Sequence, residues 1–266
     1  MKKYYFIIVV ASVAGLLAGW WFINNRVEKS ENPDKALLKR DPLLGMVEPL
    51  ILNPLTHAFI QIIFNDKIIY VDPADTGGKL NVFSLPKADY IFITHEHPDH
   101  WNKDFIKALR KDGTVIVGSA AVGEAGAMQF PGYRVMQNGE KVVLADLEVE
   151  ALPAYNIVRK NDKGEFFHPQ GRGNGYLFNL GGKKLYVAGD TECVPELDSL
   201  KDKLDILFLP MNLPFTMPAL ESAECALRLK PKVVYPYHQG REDPRVFESR
   251  VKEKDSNIDI RVAFLP

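Results

Sequence analysis

"DYIFITHEHPDHWN", residues 89–102, runs from an apolar stretch straight into His95, His97 and His100, three of the six histidines in the chain. In an extended segment alternate side chains share a side, so His95 and His97 at i and i+2 reach one point. Pro98 then ends the extended stretch, and Asp99 and His100 swing round where the next helix begins. Imidazole nitrogens with carboxylate oxygens suit Zn²⁺ well, and Mn²⁺ or Fe less specifically. The competing reading is a group of surface histidines with no ligand, and such tight spacing speaks against it.

Outward from this cluster the pattern is mixed. "HAFIQIIF" and "KIIYVD", joined by Asn65 and Asp66, predict a hairpin, and "NGYLFNL" and "KKLYVAGD" around Gly181-Gly182 predict another. "DYIFIT" reads as a buried strand, and "NKDFIKALRKDG" as a helix stopped at Gly113. Short strands follow at "TVIVGS", "YRVMQ", "KVVLA" and "LEVEALPA", and strand and helix alternate from "DILFLP" to the end. No repeat is visible. The expected class is α/β, sheets with helices packed outside. At the end of the apolar "KLYVA", Asp190 is a carboxylate that needs a cation nearby.

"THEHPDH" matches the HxHxDH signature of the metallo-β-lactamase fold superfamily, which the chain resembles over about residues 48–266. "VAGDTE" resembles that family's "GDT" segment, "VVYPYHQG" its last ligand segment, and "VDPAD" its "IDP" turn. "LTHAFIQI" resembles the "GHAS" strand of the branch that contains L-ascorbate 6-phosphate lactonase and N-acyl phosphatidylethanolamine phospholipase D. The resemblance implies a four-layer αββα sandwich. It also implies two Zn²⁺ ions, with Mn²⁺ or Fe as alternatives: His95 and His97 on metal 1, Asp99, His100 and His238 on metal 2, and Asp190 between them. Asp99 takes the catalytic role, accepting a hydrogen bond from the activated water.

One position departs from the family pattern. Where a histidine usually completes metal 1, "LPAYN" ends in Asn156, whose amide is a weak ligand for Zn²⁺. His168 is a replacement, or else a loop histidine that binds substrate or nothing. His57, Asp72, Asn156 and Asn212 are expected behind the ligands or against substrate, with plain turn or strand roles as alternatives. The loop 156–173 carries Arg159, Lys160, Lys163 and Arg172 beside Phe166 and Phe167, which suits an anionic substrate with an apolar part.

The 33 basic and 34 acidic side chains exclude a strongly charged surface, so no nucleic-acid partner is expected. Cys193 and Cys225 are too few for a disulfide framework and form no CxxC pair; Cys193 reads as a packing residue. "YYFIIVVASVAGLLAGWWFI", residues 4–23, is uncharged and long enough for a bilayer. The expected organisation is a membrane anchor or signal segment over 1–23, a linker over 24–47 and a hydrolase domain over 48–266. The domain is expected to be extracytoplasmic (periplasmic in a Gram-negative cell), or secreted after cleavage. The expected function is metal-dependent hydrolysis of a small-molecule or lipid substrate: a lactone, a phosphodiester or a phospholipid-like molecule. The alternative is a non-catalytic metal-binding protein with a degraded first site.

Overall fold

The computed structural model describes residues 50–145 and 147–262. The stretch 4–23 and the linker 24–47 lie outside the described residues. Two sheets carry the fold. The first is ordered β1 (Ile51–Thr56), β2 (Phe59–Phe64), β3 (Lys67–Val71), β4 (Tyr90–Phe92), β5 (Val115–Gly118) and β6 (Tyr133–Val135). The second contains β7 (Lys141–Leu144), β8 (Leu147–Ala154), β9 (Gly173–Leu180), β10 (Lys183–Val187), β11 (Ile206–Pro210), β12 (Val233–Tyr237) and β13 (Asp259–Ile260). Although no repeat shows in the sequence, both follow one plan: antiparallel neighbours through β1–β3 and β7–β10, then parallel neighbours through β6 and β13.

Strand alternation explains the layering. In β11, Ile206 and Phe208 join the core between the sheets, whereas Leu207 and Leu209 face the helices α3 (Ala219–Leu229) and α4 (Pro244–Lys254). In β4, Tyr90 and Phe92 point to the same central core, while Ile91 and the following Ile93 meet α1 (Lys103–Leu109) and α2 (Ala120–Glu124). Because β4 and β11 are buried on both faces, they read as continuous apolar runs. The result is the αββα sandwich.

Both predicted hairpins form. Asn65 and Asp66 take φ 48° and 57°, and Gly181 and Gly182 φ 59° and 84°, the left-handed backbone that a two-residue turn needs. An edge strand escaped the sequence reading: β1 contains Pro54, and an edge is where a strand tolerates proline. The cysteines are also corrected: Cys193 and Cys225 form a disulfide, Cα to Cα 5.7 Å, tying α3 to the segment after Asp190. Thirty-two positions separate them in sequence, so only the folded chain shows their proximity.

Candidate metal centre

Every candidate ligand lies at one edge of the sandwich, past the carboxyl ends of β3, β4, β8, β10 and β12 and at the β1–β2 turn, where loops can converge. β4 ends at Phe92, so His95 and His97 project from a turn rather than from the strand itself. Their rings still meet at 4.6 Å between centroids. Ligand atoms of His95, His97 and His168 lie within 4.8 Å of one another, as do those of His95, His100 and Asp190, and those of His57, Asp99 and His238. Asp190 joins the two halves: Oδ2 is 3.2 Å from His168 Nε2, and Oδ1 is 3.3 Å from His100 Nε2 and 3.5 Å from His238 Nε2.

The backing residues orient these groups. Asp72, wholly buried, accepts from the Thr94 backbone N–H and hydroxyl, both at 2.7 Å, and lies 2.8 Å from His100 Nδ1. Because the Thr94 hydroxyl donates to Asp72, its oxygen is left to accept from His95 Nδ1 at 3.0 Å, which frees His95 Nε2 for a ligand. The Asn212 amide nitrogen stands 3.2 Å from His238 Nδ1. His57 lies over His238 with ring centroids 3.9 Å apart, and its Nε2 is 3.1 Å from Asp99 Oδ2. His57, Asp72 and His238 all adopt positive φ (43°, 51° and 53°), the left-handed backbone that costs a non-glycine residue strain.

His168, not Asn156, stands with His95 and His97 as a group able to hold an ion. Asn156 Oδ1 accepts from the backbone N–H of His168 at 2.7 Å and lies 2.8 Å from its Nδ1, so Asn156 stands behind the histidine. Sequence reasoning missed Thr94 and Glu192. Thr94 had a usable signal, the residue just before the first ligand at a strand end; Glu192 had none beyond its place after "GDT".

The donor set fits metal ions. His95 Nε2, His168 Nε2 and Asp190 Oδ1 are buried and make no hydrogen bond, a costly state unless a cation takes their lone pairs. Burial pulls the His95 imidazole well below its ordinary value and also lowers His97 and His238, which favours their neutral form. Burial pushes Asp190 up, but His238 and His100 outweigh it and hold the carboxyl well below the usual range. Burial likewise opposes ionisation of Asp99, and His238 and His57 overcome it. For His100, burial is outweighed by Asp190 and Asp72, which raise the imidazole well above its usual value. These buried carboxylates demand positive charge, and metal ions would supply it.

The loop 156–173 departs from expectation. Arg172 is held by Glu96 at 2.5 Å, Arg159 by Glu221 at 2.6 Å, and Lys160 lies 4.6 Å over the Phe166 ring. Most of the basic groups expected to meet an anion are already engaged.

Residues 52–238 match the model of a beta-lactamase superfamily domain. The chain belongs to the beta-lactamase superfamily. A UPF0173 metal-dependent hydrolase of Anoxybacillus flavithermus is 29% identical over 207 residues, 74% of this chain and 91% of that protein. A solved structure from Parabacteroides distasonis, named as a metal-dependent hydrolase, is 36% identical with TM-score 0.72, covering 82% of this chain and 94% of its own. The fold alone is shared with Igni18, a metallo hydrolase of Ignicoccus hospitalis, at 22% identity and TM-score 0.66 over 81% and 95% of the two chains. This beta-lactamase superfamily member is a metal-dependent hydrolase of the metallo-β-lactamase fold. The expected membrane anchor, with its extracytoplasmic or secreted placement, is withdrawn. Among the described residues, which do not include 4–23, no helix is long and apolar enough to cross a membrane.

Proposed function

We propose that this hydrolase cleaves a neutral ester or lactone carrying an apolar group. The observation that carries the hydrolytic reading is the convergence of His95, His97, His168, Asp99, His100 and His238 on Asp190, with three buried ligand atoms left without hydrogen bonds. The place of His168 beside His95 and His97 supports a complete first site over a degraded one. When bound, metal ions supply an activated water and a charge opposite the developing oxyanion. The chain's own residues do the rest. Asp99 and His57, with side chains 30% and 23% exposed, face the open side, where the Asp99 carboxylate can hold a proton-bearing group in line with substrate. His95, His100 and His168 lie deeper and keep their orientation through Thr94, Asp72 and Asn156.

The substrate class follows from the rim. Phe167 and Phe215 meet edge to face at 5.1 Å, and Phe215 and Leu213 are 43% and 45% exposed. Beside them, the Arg172–Glu96 pair leaves no net charge to attract an anion. An uncharged acyl group therefore suits the mouth better than a phosphodiester or a phospholipid headgroup.

The test is a panel of lactones, esters, phosphodiesters and phospholipids given to metal-loaded protein, with metal content measured alongside. Turnover should favour lactones or esters, and His97→Ala should lose both metal and turnover. Full activity in that variant would refute the metal mechanism; exclusive phosphodiester cleavage would refute the substrate class.

A further inference from the structure

Glu192 lies two residues beyond Asp190 and is 2% exposed, a depth at which a carboxylate persists only if its oxygens are satisfied. Its partners come from one short stretch. Oε2 accepts from the backbone N–H groups of Ile157 at 3.0 Å and Val158 at 2.8 Å, and Oε1 from Arg159 N at 2.8 Å and Asn156 Nδ2 at 3.2 Å. Three successive amides thus close on one carboxylate, as backbone nests close on anions.

The consequence falls on His168. Asn156 Nδ2 donates to Glu192 and to the Phe215 carbonyl at 2.9 Å, so the amide has only one workable orientation, with Oδ1 turned to His168. There Oδ1 accepts from the backbone N and from Nδ1. The imidazole proton is thereby fixed on Nδ1, and Nε2, buried without a hydrogen bond, presents its lone pair toward His95, His97 and Asp190. An unrestrained amide could flip, put Nδ2 against Nδ1, and drive the proton onto Nε2, where it blocks coordination.

We propose that Glu192 is a positioning residue of the metal centre, setting the tautomer of His168 through Asn156. This rests on the reading of His168 as a metal ligand. The same carboxylate ties the segment bearing Asp190 to the loop bearing His168, so both ligands are registered by one buried anion.

The experiment compares the full chain with Glu192→Gln, His168→Ala and the double variant. Zn²⁺ affinity is measured by chelator competition, and the histidine tautomers of metal-free protein by long-range ¹H–¹⁵N spectra. Glu192→Gln should weaken one Zn²⁺ by about 10- to 100-fold, mix the His168 tautomers, and add nothing to the loss already caused by His168→Ala. Wild-type affinity with an unchanged tautomer overturns the proposal. If Glu192→Gln does not fold, Asn156→Ala, which removes the oxygen that holds the proton on His168 Nδ1, carries the same expectation and the same refutation. Should His168→Ala leave Zn²⁺ binding unchanged, the ligand reading falls, and the tautomer spectra still decide whether Glu192 orients the ring.

Discussion

Asp72 and His100, 28 positions apart, form a wholly buried pair at 2.8 Å in which the carboxylate holds Nδ1 and leaves Nε2 facing Asp190. Asp72→Ala removes the group that orients the ring. Metal affinity is expected to fall about 10- to 100-fold, as measured by chelator competition. Undiminished affinity would mean that Thr94 and the backbone suffice.

Gly189, just before Asp190, has φ 66°, and a Cβ there would lie 2.9 Å from Thr94 Cβ. Gly189→Ala should therefore strain the backbone and push on the residue that orients Asp72 and His95. A loss of about 1–3 kcal/mol from overpacking is expected in urea unfolding, together with weaker metal binding. A neutral result would show that Thr94 can move without cost.

The Cys193–Cys225 disulfide closes a loop with sequence separation 32. On loop-closure entropy it contributes about 3–4 kcal/mol. Cys193→Ser/Cys225→Ser should lower the unfolding midpoint accordingly, and reductant should lower wild type but not the double variant. Equal midpoints with and without reductant would show that the bond adds no stability.

Asp89 and Asp205 give the fold a pH dependence away from the metal centre. Burial raises both carboxyls, but Ile68 N with Lys111, and Lys232 with Lys184 N, outweigh it and leave them below the ordinary 3.8. A folded-state value below the unfolded one contributes stability that is complete above the unfolded value and disappears as pH falls through the folded one. Stability of metal-free protein should thus decline below about pH 4, and less steeply in Asp89→Asn/Asp205→Asn. An unchanged slope in that variant would assign the decline to other groups.

Much of the fold was legible because its signals are local. Apolar runs such as "DILFLP" announce strands buried on both faces, and Asn65-Asp66 and Gly181-Gly182 can turn the chain where few other pairs can. The candidate ligands His95, His97, Asp99 and His100 sit in one short segment, so their spacing singled them out. Beyond that segment, Asp190 stood out as a carboxylate ending an apolar run, His238 came through resemblance, and His168 and Asn156 were left as alternatives.

Tertiary structure decided the rest, because hydrogen-bond direction and charge pairing depend on neighbours far along the chain. Only the fold brings Glu192 under Asn156, puts Asn156 behind His168, and joins Cys193 to Cys225. Only the fold commits Arg159 and Arg172 to acidic partners, turning a loop that reads as basic into a nearly neutral rim. Composition and periodicity record which groups are present, whereas what each group does is set by the one it faces.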